Sequence, residues 1–162
     1  LKYVITLLAV KDIKISKKFY EKLFNQHVVC DLGKNITFDG GFALQEDFPW
    51  LLDIPENSLI KKSNNMELYF EVDDFDEFLK KLEEYEKYEK IEYVNKPKKH
   101  EWQQRVVRIY DPDFHIIEVG ESMILIAKRY LNEGYSIEKT AEIIQHPVDF
   151  VKMVKENHCH KN

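Results

Sequence analysis

Met66-Glu67-Leu68-Tyr69-Phe70-Glu71-Val72-Asp73-Asp74 carries one period and hands over to another. Met66, Leu68, Phe70 and Val72 alternate with Glu67, Tyr69 and Glu71, the pattern of a strand with one buried face. Asp73-Asp74 then open a stretch in which Phe75, Phe78, Leu79 and Leu82 share one side of a helix. The same order occurs earlier in the chain. Residues 3–10 are apolar and β-prone, Lys11-Asp12 follow, and Ile15, Phe19, Leu23 and Phe24 recur at helical spacing within 13–24. Val72 and Asp74 stand to Val10 and Asp12 at one constant offset, so the chain contains an internal repeat.

Working outward, each predicted helix is followed by three short strand candidates. These are 27–32, 35–39 and 41–46 in the first half, and 91–95, 103–110 and 115–120 in the second. Gly33-Lys34, Gly40-Gly41 and Asp111-Pro112-Asp113-Phe114 supply the reversals, with Pro112 suited to the second position of a type I turn. Each half therefore reads β-α-β-β-β, an α+β arrangement with modules over 3–46 and 66–120. Residues 47–65, with Pro49, Trp50 and Pro55, form a connector long enough to act as a lid. Helical spacing resumes at 123–131, breaks at Gly134, and restarts behind Ser136 and again at Pro147. This predicts a main domain over 1–121 and a helical extension over 122–162.

The 162 residues suffice for one buried core plus a small appendage. A formal charge of −5 disfavours nucleic acid as the main partner. Cys30 in a strand-like run and Cys159 in the polar tail do not suggest a disulfide, and no apolar run is long enough to span a bilayer. The expectation is a soluble, cytoplasmic protein.

Val10-Lys11-Asp12-Ile13 with Ser16, Phe19-Tyr20 and Leu23 resembles the opening motif of the vicinal oxygen chelate superfamily, the glyoxalase, bleomycin resistance protein and dioxygenase group. Phe70 to Asp74 resembles the start of that family's second module. Asp111-Pro112-Asp113 with Ile117-Glu118 resembles its closing hairpin. Phe114 stands where the family usually has Gly, which predicts a different turn conformation. The resemblance implies two modules forming a curved, half-open sheet around a pocket. It also implies metal-ligand positions at Ile5, Gln45, Glu67 and Glu118 in the metal-dependent members. Ile5 has no donor atom, which leaves Gln45, Glu67 and Glu118. Three oxygen donors suit Mg²⁺, Mn²⁺ or Fe²⁺ better than Zn²⁺ or Ni²⁺, and the two-His, one-carboxylate oxygenase set is absent.

Two functions follow as alternatives. One is binding of a small, polar, oxygen-rich organic molecule without turnover. The other is a metal-assisted lyase or isomerase of glyoxalase type, with Glu118 and Glu67 as ligands or bases. Tyr69, Trp50 and Trp102 are candidate pocket walls. Arg105 and Arg108 have opposite parity on one strand, so only one can face a ligand, and Arg105 is the candidate taken forward. His27, His100 and His115 read as structural, and His158-Cys159-His160 matches no zinc module.

Two helices across a tight turn raise a third reading, a DNA-binding regulator. From Glu121 onward the chain has six basic and six acidic residues, without the positive bias that phosphate contact needs. The extension is expected to pack on the sheet or on a dimer partner, and a homodimer that covers sheet edges is expected, helped by Ile124, Leu125 and Tyr130.

Overall fold

The computed structural model describes residues 1–159, with side chains through Asn157. Each repeat contributes a four-stranded sheet. The first has strands β1 (Thr6–Ala9), β2 (Val28–Asp31), β3 (Asn35–Phe38) and β4 (Phe42–Gln45) in the order β1-β4-β3-β2. The second has β5 (Glu67–Val72), β6 (Glu92–Lys99), β7 (Arg105–Tyr110) and β8 (Ile116–Glu121) in the equivalent order β5-β8-β7-β6. In the first sheet β1 runs parallel to β4, with Ala9 opposite Gln45, while β3 pairs antiparallel with β4 and β2. A parallel pair needs a crossover, and helix α1 (Ile13–Phe24) begins it. The predicted α+β architecture of two βαβββ modules is therefore the fold.

The carboxylate of Asp12 caps α1 by accepting from the Lys14 and Ile15 amides, and Asn25 ends the helix in the left-handed conformation. Its buried stripe of Ile13, Ser16, Phe19, Tyr20 and Leu23 lies on one face. Tyr20 packs on Phe42 and Phe38 with ring centroids 5.0 and 5.8 Å apart. Leu8, Ile36 and Leu44 are buried in the same region. Each such side chain contributes roughly 1.5–3 kcal/mol through burial. Helix α3 (Phe75–Glu86) repeats the plan, with the Asp74 carboxylate accepting from the Glu77 amide.

Three details depart from the expectations. Strand β1 starts at Thr6, leaving Tyr3 and Val4 exposed. Strand β6 runs through Pro97 to Lys99, which its place at the end of the strand order permits, because an outer edge needs no donor there. At the turn, Phe114 takes a left-handed φ of 71°, the region that glycine adopts most readily. Phe114 N donates to Asp111 O at 3.1 Å and Asp111 N to His115 O at 3.0 Å, a type I turn closed by a left-handed residue.

The connector contains a short helix, α2 (Phe48–Leu52), and a 3-10 turn at Glu56–Ser58. Helices α4 (Met123–Asn132), α5 (Ile137–Ile144) and α6 (Val148–Cys159) share a core of Met123, Ile126, Ala127, Ala141, Ile144, Val151 and Val154, with Trp102 against it. On α6, Asp149 pairs with Lys152.

By compactness the chain forms two units. One comprises Leu1–Leu68, Lys81–Val94 and Ile109–Ile117; the other comprises Tyr69–Lys80, Asn95–Arg108 and the chain from Glu118 onward. No described helix is long and apolar enough to cross a membrane.

Candidate functional site

Alternation along β7 sends Arg105 and Arg108 to opposite faces, as their parity requires. Arg105 lies over the Phe75 ring, donates to both Asp76 oxygens, and holds the Glu121 carboxylate through Nε at 2.9 Å. These two carboxylates push its pKa further up and leave it a clasp to the first turn of α3. Arg108 instead forms an ion pair with Glu118, whose side chain is 8% exposed. Nη1 of Arg108 also lies 3.5 Å from Asn95 Oδ1 and from His100 Nε2. The better candidate is therefore Arg108.

The sequence held a signal for this choice. Counting outward from the Asp111–His115 bond sets Arg108 opposite Glu118 and Arg105 opposite Glu121. Parity alone separated the two arginines without assigning either to the site.

Further residues complete the Arg108 face. His100 stacks on Trp102 with centroids 4.0 Å apart and planes 7° apart. Burial, followed by the charges of Lys98 and Arg108, pushes the His100 pKa down, so its ring is neutral near pH 7. Trp102 Nε1 donates to Gln104 Oε1 at 2.9 Å. Gln104 Nε2 donates to Tyr69 Oη at 2.6 Å and to the Glu121 carbonyl at 2.8 Å. Tyr69 in turn donates to Glu71. Desolvation, then the Glu71 hydrogen bond, pushes the Tyr69 phenol far above its ordinary value, so it acts as a neutral hydroxyl. Gly120 makes room for this chain, since a Cβ there would lie 2.6 Å from Gln104 Nε2. Gln104, His100 and Gly120 have no distinctive spacing in the sequence, and only the folded strands bring them to Tyr69 and Trp102.

The donors implied for a metal have other commitments. Gln45 Oε1 accepts from Asn35 Nδ2 at 2.8 Å, and Nε2 donates to the Glu46 carbonyl at 2.6 Å. Glu118 is neutralised by Arg108, Glu67 lies at the exposed start of β5, and Ile5 offers no donor. Among the described residues, no three His, Cys, Asp or Glu side chains gather around one point. This donor set does not fit a divalent metal. The His158-Cys159-His160 run lies outside the residues whose side chains are described.

Trp50, 80% exposed, lies elsewhere, in a cleft of about 870 Å³ lined by β1, the connector and the Phe114 turn. At its edge, the buried Asp111 carboxylate holds His115 Nδ1 at 2.8 Å and accepts from Tyr20 Oη at 2.8 Å. Asp113 accepts from the Lys11 amide and Ser16 Oγ, each at 2.8 Å. The Asp and His residues of the closing motif thus fasten the turn to α1 and border the cleft.

The family model for the glyoxalase-like domain matches residues 3–124. Among solved structures, a protein of unknown function from Agrobacterium tumefaciens is 34% identical, with a TM-score of 0.64, covering 76% of this chain and 95% of its own. The fosfomycin resistance protein of Listeria monocytogenes is 20% identical, with a TM-score of 0.56 and coverages of 76% and 94%. Lactoylglutathione lyase from Agrobacterium tumefaciens is 23% identical, with a TM-score of 0.53 and coverages of 75% and 93%. The last two show a common fold and nothing finer. No curated protein matches the chain. The repeated βαβββ modules, the closing hairpin and the family match place this chain in the glyoxalase-like family of the vicinal oxygen chelate superfamily.

Proposed function

We propose that the chain binds a small, polar, oxygen-rich organic molecule on the Arg108 face of β7 and β8, without a metal. The supporting observation is the Glu118–Arg108 ion pair, because a carboxylate at the family's ligand position is already satisfied by a guanidinium. The pair offers both a hydrogen-bond acceptor and donors to a ligand. Neutral His100 and the Tyr69 hydroxyl add groups that bind carbonyl and hydroxyl oxygens. Trp102 supplies an aromatic wall.

The alternative is a metal-dependent lyase or isomerase of glyoxalase type, using Glu67 and Glu118. It requires Glu118 to leave Arg108 and Gln45 to turn from Asn35. A homodimer belongs to either reading, since β1 and β5 end their strand orders.

One experiment separates the readings: metal content per protomer, measured on the sedimenting species after incubation with Mn²⁺, Ni²⁺ or Zn²⁺. The expected result is a dimer without bound metal. Stoichiometric metal that disappears in Glu118→Gln would overturn the metal-free reading in favour of the lyase.

A further inference from the structure

We infer that the cleft beside the connector is a second binding site, selective for a small organic anion with an apolar body, of the aromatic carboxylate type. It shares no residue with the Arg108 face. Leu7, Trp50, Ile60, Met66, Phe114 and Ile116 supply apolar wall, and a volume of about 870 Å³ suits a small organic molecule.

The charges around the cleft set the sign of the ligand. Lys11, Lys61 and His115 line it, against Asp47, Glu56 and Asp113. Two of the three carboxylates are already used. Asp47 is paired with Lys34, and both Asp113 oxygens accept hydrogen bonds, from the Lys11 amide and from Ser16. Among the described residues, Glu56 has no such partner. The cations are not answered in the same way. The ammonium groups of Lys11 and Lys61 have no carboxylate within ion-pair distance among the described residues, and Lys61 Nζ instead sits 5.4 Å from the Phe114 ring centre. His115 is fixed through Nδ1 by the buried Asp111, which leaves Nε2 as its remaining polar edge. Burial alone would lower the His115 pKa, but the Asp111 hydrogen bond and the charges of Asp111 and Asp113 outweigh it and raise the value.

Phe114 holds its ring at the cleft from a left-handed backbone, a conformation that is strained for a residue with a side chain and that persists where the surroundings impose it. An anionic head between Lys61 and His115, with its apolar body against Trp50 and Phe114, satisfies both kinds of wall.

The test is fluorine NMR titration of the full chain with para-trifluoromethylbenzoate and with the neutral para-trifluoromethylbenzamide. The benzoate is expected to bind at least about tenfold more tightly. Lys61→Glu is expected to remove that preference by weakening benzoate binding at least about tenfold. Trp50→Ala should weaken both probes. Equal affinity for the two probes overturns the anion assignment. So does a preference that survives Lys61→Glu combined with Lys11→Glu. Failure of both probes to bind, including by occlusion of the cleft in a dimer, overturns the site itself.

Discussion

The hairpin joining β3 to β4 and the hairpin joining β7 to β8 have the same backbone and opposite chemistry. In the first, Gly41 N closes on Phe38 O at 3.1 Å, and in the second Phe114 N closes on Asp111 O at 3.1 Å. The closing residues have φ of 82° and 71°. The first module uses glycine there, and its strand β4 buries Phe42, Ala43, Leu44 and a neutral Gln45. The second uses phenylalanine and surrounds the turn with Asp111, Asp113 and His115, while its strand β8 buries Glu118 against Arg108. One scaffold thus serves two ends. The second copy contains the buried charge and the turn residue that local rules disfavour, which is where specialised chemistry is expected.

The largest effect should come from breaking the buried ion pair. Arg108→Met leaves the Glu118 carboxylate buried without its counter-charge and should destabilise the fold by roughly 3–5 kcal/mol. Gln45→Met, at the equivalent place in the first module, removes neutral hydrogen bonds and should cost about 1 kcal/mol. Urea denaturation of the two variants measures the contrast directly. Equal losses would mean that the modules do not differ in the way their strands are stabilised.

The next effect lies at the turn. Asp111→Asn weakens the charge-assisted bonds to Tyr20 and His115, and a loss of about 2 kcal/mol is expected. It should also change the dependence on pH. A His115 value raised in the folded state means that the folded protein holds its proton more tightly than the unfolded chain does. That stabilisation is fully present below the ordinary histidine value of 6.5 and is lost as pH rises through the raised folded value. Wild type should therefore lose stability from pH 6.5 upward more steeply than Asp111→Asn. Parallel pH profiles would show that the ion pair does not set the titration.

The repeat made the fold legible. Residues 66–74 and 3–12 carry period-two patterning, a polar cap and a period-3.6 stripe, and these local signals agree with the packing found. Strand ends were less legible, because Tyr3 and Val4 are as β-prone as their neighbours and only the length of β4 limits the pairing. Glu118 and Trp102 could be named from motif position and residue type, whereas the partners of Glu118 depended on hairpin register. Arg105 and Arg108 are alike in composition and spacing, and they part only when the turn sets one opposite Glu121 and the other opposite Glu118. The cleft was partly legible through Trp50, but its cations come from the segment after β1, the connector and the turn, which no local pattern links.

The smallest effect comes from exchanging the two closing residues. A built Cβ at Gly41 meets nothing within 4 Å, so Gly41→Phe adds left-handed strain with no compensating contact, and about 1 kcal/mol should be lost. The reverse change is not its mirror image. Phe114→Gly relieves comparable strain but gives the unfolded chain more freedom, which offsets roughly 0.5–1 kcal/mol. It also removes a ring that contacts Tyr110 at 6.1 Å and lies under Lys61 and Lys62 at 5.4 and 5.3 Å. Cation–π contacts at such exposed sites contribute about 0.5 kcal/mol each. Phe114→Gly should therefore leave the denaturation midpoint nearly unchanged while Gly41→Phe lowers it. If Phe114→Gly stabilised the protein by the whole strain energy, the ring would contribute nothing to the fold, and its place in the cleft would have to be explained by the ligand alone.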